Sequence, residues 1–68
     1  MFVEFTGARY TYGDEGQQEW HEIGKVRIEE KAISGYYDHT LIINGLKVHV
    51  LEDYAAIMEK MRFVAMGR

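Results

Sequence analysis

Leu41-Ile42-Ile43-Asn44-Gly45-Leu46-Lys47-Val48-His49-Val50 is the stretch from which the architecture follows. Asn-Gly between two apolar runs is the strongest short code for a β-hairpin, because a type I′ turn needs positive φ at both central residues. With Asn44 and Gly45 as the loop, Ile43 faces Leu46, Leu41 faces Val48, and His39 faces Val50, all on one side. The pairs Ile42 with Lys47 and Thr40 with His49 take the other side. The first face is almost wholly apolar and is the expected core face. The second is mixed and is expected nearer water.

Downstream of the hairpin, the spacing predicts a helix over about 53–65. Asp53 suits the N-cap, and Glu52 adds negative charge at the positive end of the helix dipole. Tyr54, Ile57, Met61 and Val64 recur at helical spacing, with Met58 and Ala65 beside them. Lys60 and Arg62 sit late, and Gly67 reads as a stop.

Upstream, Val3 and Phe5 alternate with Phe2 and Glu4, but beyond Gly7 the apolar parity switches to Ala8, Tyr10 and Tyr12. A one-residue slip beside a glycine predicts a β-bulge or bend. Gly13-Asp14-Glu15-Gly16 reads as a turn. A strand lies within Trp20–Glu30, with Val26 and Ile28 inward, Lys25, Arg27 and Glu29 outward, and Gly24 interrupting it. Ala32 and Ile33 are expected to be buried, and Ser34-Gly35 to bend the chain into Tyr36-Tyr37-Asp38-His39. The expected fold is α+β: one domain, 1–68, with a small antiparallel β-meander of four to five strands and one C-terminal helix packed on it. A curled, barrel-like sheet is the alternative.

Composition bounds the function. The chain has 68 residues, of which 47% are hydrophobic, 13% aromatic and 28% charged, so it is a folded protein rather than a disordered one. At this size only about 60% of the unfolded chain's surface is buried on folding, and the stability margin is thin. With no cysteine, disulfide scaffolds, thiolate metal sites and thiol nucleophiles are excluded. A formal net charge of −3 argues against general nucleic-acid binding, which draws on a basic patch. Stacking of Trp20 or the tyrosines on bases therefore ranks last, since residues 14–22 carry Asp14, Glu15, Glu19 and Glu22 without a lysine or arginine. The opening Met1-Phe2-Val3-Glu4-Phe5 is unlike a signal peptide, and no apolar run approaches the roughly 20 residues a membrane helix needs. The expectation is a cytoplasmic protein of bacterial or viral origin that makes no membrane contact.

No cluster of reactive side chains stands out. His21, His39 and His49 lack ligand spacing, and the hairpin register assigns His39 and His49 to opposite faces, so no metal site is expected. Ser34 sits in a bend without the residues of a nucleophile elbow. Glu29-Glu30 point to opposite sides of a strand, and Glu52-Asp53 belong to a helix start. Gly13-x-x-Gly16 encloses two acidic residues, which repel phosphate. No catalytic residue and no cofactor are expected. The aromatic content is the distinctive feature: Tyr10, Tyr12, Trp20, Tyr36, Tyr37 and Tyr54 are many for this length. Adjacent residues on a strand point opposite ways, so at least one of Tyr36 and Tyr37 should be exposed. Exposed tyrosine and tryptophan are large, stiff and tipped with a polar group, which suits protein interfaces. Trp20, Tyr36, Tyr37, Asp38 and His39 are accordingly the candidate binding residues.

The segment Val26-Arg27-Ile28-Glu29 … Ile33 … Asp38-His39-Thr40-Leu41-Ile42-Ile43-Asn44-Gly45-Leu46-Lys47-Val48-His49-Val50-Leu51-Glu52 … Ile57 … Met61 resembles the small FlbD-like flagellar and swarming proteins. It is similar also to small phage and mobile-element proteins with the same plan of short strands, Asn-Gly, a Val-rich strand and an amphipathic helix. The chain departs from that plan in its aromatic and acidic segment before Val26, and in Asp53-Tyr54 where those proteins tend to have serine. The resemblance implies a non-enzymatic accessory protein. The leading expectation is thus a protein-binding module, a phage or mobile-element accessory or inhibitor, acting through an aromatic surface and self-association as a homodimer. The alternative is a small-ligand or nucleotide-binding protein whose pocket forms between protomers, with polar groups converging on Arg9, Tyr36 and His39.

Overall fold

A computed structural model describes residues 1–66 of the chain. Five antiparallel strands precede a helix: β1 (Phe2–Tyr12), β2 (Gln18–Glu29), a single 3-10 turn (Glu30–Ala32), β3 (Ile33–Tyr37), β4 (Thr40–Ile43), β5 (Leu46–His49) and α1 (Tyr54–Met66). The fold is α+β, and the strands form two sheets, β1-β2 and β3-β4-β5, that do not close into a barrel.

The β4–β5 hairpin has the register expected from Asn-Gly: Thr40 pairs with His49, Leu41 with Val48, Ile42 with Lys47, and Ile43 with Leu46. Both loop residues have positive φ, 52° at Asn44 and 81° at Gly45. Burial follows the expected face only at its base. Leu41 and Val50 are fully buried and Ile43 and Val48 half-buried, but Leu46 is 71% exposed. Leu46 was expected in the core. It follows the turn directly, at the tip of the hairpin.

β1 and β2 form a long hairpin closed by residues 13–17, where the Gly16 amide donates to the Gly13 carbonyl and the Gly13 amide to the Gln17 carbonyl. The parity switch seen at Gly7 corresponds to a register shift between Gly7 and Ala8. The extra residue is on β2: Gly7 pairs with Gly24 and Ala8 with Glu22, leaving Ile23 unpaired and 69% exposed. Gly7 is required by close approach, since a Cβ there would stand 3.2 Å from the Gly24 carbonyl oxygen. A bulge of this kind bends and twists the ribbon. It lets Val3 and Phe5 before it, and Ala8 and the half-buried Tyr10 after it, all turn inward.

The edge of β1 that faces away from β2 is covered piece by piece. Gly7 bridges to Val50, and the Leu51 amide donates to the Thr6 carbonyl. The Glu52 carboxylate accepts the Thr6 amide through both oxygens, at 3.0 and 3.1 Å, and Lys60 donates to the Glu4 carbonyl. Glu52, expected to serve the helix dipole, is therefore spent on the strand edge. An exposed row of unpaired amides and carbonyls is a liability, and these contacts remove it.

Asp53 caps α1 as expected, with Oδ1 accepting the Ala56 amide at 2.9 Å. Ile57 and Val64 are buried and Met61 is half-buried, while Tyr54 and Ala65 of the expected stripe are exposed. Gly67, read as the helix stop, lies outside the described residues. The core consists of Val3, Phe5, Leu41, Val50, Ile57 and Val64, with Val26, Ile28, Ile33, Tyr36, Ile43 and Met61 packed around it. Ala32 and Ile33, expected to be buried, are half-buried at the 3-10 turn, and the bend at Ser34-Gly35 is a second register shift between Ile33 and Gly35.

A candidate binding cleft

The inner face of the β1–β2 ribbon beyond the bulge carries the pair Tyr10 and Trp20. Opposite it, the β3–β4 turn contributes Tyr37, Asp38, His39 and Thr40, and β5 contributes Lys47 and His49. With Gln18 these nine residues line a cleft of about 420 Å3.

His39 organises it. Its φ is +56°, a left-handed conformation uncommon outside glycine and asparagine. The backbone still pairs, the Val50 amide donating to the His39 carbonyl at 3.0 Å. The left-handed twist takes the side chain out of strand alternation. Nδ1 lies 3.1 Å from the Val50 carbonyl oxygen, which can only accept, so Nδ1 carries the proton. The ring then stacks on Trp20, with centroids 4.4 Å apart and planes at 21°. The expectation that His39 and His49 lie apart on opposite faces is thus corrected: both line the cleft, because His39 belongs to the turn and not to a strand.

Around this stack the rings interlock. Tyr10 meets Trp20 at 5.2 Å and His49 edge-on at 5.4 Å, and Tyr12 extends the row, edge-on to Tyr10 at 5.7 Å. Trp20 and His49 are 6.0 Å apart. His49 Nδ1 is buried and has no hydrogen-bond partner among the described residues. Asp38 stands at the rim. Its Oδ1 accepts the Tyr54 amide at the start of α1 and lies 3.9 Å from His39 Nε2. Lys47 lies 6.0 Å over the Tyr37 ring, and no carboxylate among the described residues is within ion-pair distance of it.

Of the five residues singled out from sequence, Trp20, Tyr37, Asp38 and His39 share this cleft. Tyr36 does not. It is half-buried, packs beside the core and meets Tyr54 at 5.6 Å. Arg9, considered as part of a pocket with Tyr36 and His39, lies across the ribbon paired with His21. Tyr10 was noted only as one aromatic among several, and Gln18, Thr40, Lys47 and His49 were not singled out as binding residues. The hairpin register carried the signal for three of them, since Thr40, His49 and Lys47 fall on the face assigned away from the core. Among the described residues no three histidine, aspartate or glutamate side chains stand close enough to hold a metal ion. No helix among them is long and apolar enough to cross a membrane.

No family model, curated protein or solved structure matches the chain.

Proposed function

We propose that this is a non-enzymatic protein-binding module whose cleft between Trp20, Tyr37 and His39 receives a segment of a partner protein. One observation carries the reading: a left-handed, non-glycine residue holds an imidazole against the only tryptophan of the chain, in an open cleft outside the core. Unfavourable backbone conformations persist where the surroundings over-determine them, and they gather at binding sites. Rigid aromatic walls with polar tips are the composition of interface hot spots. Exposed Tyr37, Gln18 and Lys47 at the mouth suit a partner that extends past the cleft. The likeness to FlbD-like and phage accessory proteins points the same way.

Trp20 reports occupancy. Peptides selected from a random library against the wild-type protein are titrated while tryptophan emission is followed. The reading requires that they shift Trp20 emission and bind Tyr37→Ala at least about tenfold more weakly, the scale of an aromatic interface residue. Peptides that bind both proteins equally, or leave Trp20 unmoved, refute it. Self-association belongs to the same proposal, and native mass spectrometry over a concentration series decides it, a monomer throughout removing the homodimer. The cleft volume also falls in the range of small-ligand sites, which supports a nucleotide or metabolite as the second reading. A thermal-shift screen with nucleotides, positive where library peptides fail, selects that one.

A further inference from the structure

Resting on that reading, we propose that the group the cleft accepts from its partner is a single carboxylate, held between Lys47 and His49. The charges lining the cleft select it. Lys47 is the one permanent cation there, and it has no carboxylate partner among the described residues. His49 lines the same cleft two residues along β5, on the same side of the strand as Lys47. An ammonium and an imidazole N–H together make two charge-assisted hydrogen bonds to the two oxygens of a planar monoanion. The remaining walls, Tyr10, Trp20 and Tyr37, offer ring faces and edges to whatever carries the carboxylate.

The competing ligand classes fit less well. A cationic side chain would compete with Lys47 for the Tyr37 ring, and the one acid at the rim, Asp38, already accepts the Tyr54 amide. A phosphate dianion would meet Asp38 and a protein of net charge −3 with one lysine to offset them. Asp38 is engaged by the Tyr54 amide and Lys47 has no ion-pair partner among the described residues, so a monoanion answers Lys47 with less repulsion from Asp38 than a dianion meets.

The test uses four acetylated peptides and one ion, each titrated against the full chain with Trp20 emission as readout. The peptides are acetyl-Gly-Phe-Glu-Gly-amide, its Gln and Lys counterparts, and acetyl-Gly-Phe-Gly with a free C-terminal carboxylate. The ion is inorganic phosphate. The expected result is saturable binding of the Glu peptide, the free-carboxylate peptide, or both, at least about tenfold tighter than the Gln peptide, a ratio typical of one charge-assisted contact. Which of the two binds tells an acidic side chain from a chain terminus. In Lys47→Gln, with circular dichroism unchanged, the preference should vanish. The proposal is overturned if neither the Glu peptide nor the free-carboxylate peptide binds more tightly than the Gln peptide, if the Lys peptide or phosphate binds more tightly, if the preference survives in Lys47→Gln, or if every probe is silent. A neutral or basic peptide that shifts Trp20 in a Tyr37-dependent way removes the carboxylate and leaves the cleft as an interface. Failure of the library selection removes both.

Discussion

At the scale of single residues, His39 shows how one backbone angle changes what a sequence builds. Counted along the hairpin, it falls opposite Val50 on the core face. With φ at +56° it takes its ring to Trp20 instead. His39→Asn keeps a residue that tolerates the left-handed region but loses the stacking, so it should destabilise the fold by about 1–2 kcal/mol in urea titration. Trp20 emission should shift to the red as water reaches the indole. An unshifted spectrum would mean the stack does not persist in solution. Glu29 is the other informative residue. The amino group of Met1 lies 2.7 Å from its Oε1, and that hydrogen bond, with the nearby positive charge, holds the Glu29 carboxyl below the usual glutamate value. A carboxyl whose folded value is lowered contributes stability that is present above its unfolded value and is lost as pH falls through the folded one. Glu29→Gln should therefore lower the urea midpoint slightly near neutrality, with the gap to wild type closing in acid. Both groups are solvent-exposed, so the gap will be small and should shrink further in salt.

Among the elements, α1 and β1 depend on adjacent acids with separate duties. Asp53 caps the helix, and Asp53→Ala should cost about 1 kcal/mol. Glu52 accepts the Thr6 amide on the partly buried edge of β1, and Glu52→Ala should cost more, about 2 kcal/mol, because a charge-assisted bond to a strand amide is lost. Equal losses in the two variants would show that Glu52 acts only through the helix dipole. The β4–β5 hairpin was readable in full register because its turn is local: two residues that accept positive φ decide every pairing after them. The bulge between β1 and β2 was half readable. Burial parity on β1 revealed the slip at Gly7, but the extra residue proved to be Ile23 on the partner strand, and one strand's pattern does not say which of two strands carries the insertion. The role of Glu52 was not readable, because an acid before a helix looks the same whether it faces the dipole or an amide 46 residues away.

For the whole molecule, the small core and the long ribbon matter most. The radius of gyration is 12.6 Å, above the roughly 11 Å expected for a compact chain of this length, and the extents are 45 × 21 × 19 Å. The β1–β2 hairpin accounts for the elongation, and few side chains carry the packing. Leu41 is fully buried at the centre. Leu41→Ala should cost about 3–5 kcal/mol, against a total of about 3–10 kcal/mol for a domain of this size. The variant should be largely unfolded near physiological temperature by far-UV circular dichroism, and a melting curve like that of wild type would move the centre of the core elsewhere.

The Asn-Gly turn with its two strands, the helix cap and the alternation that marks Val3, Phe5 and Leu41 as core were decided by neighbours a few positions apart, where backbone sterics and alternation act, whereas Leu46 and Tyr54 fit the same patterns and are exposed. The cleft was decided otherwise. Trp20 and His39 are far apart in the chain and come together only because a bulge turns one ribbon inward, a left-handed residue turns one ring outward, and the bridge at Gly7 and Val50 holds the two sheets side by side. Each is a choice of direction between elements, set by packing across the whole fold, and local preference leaves such directions open.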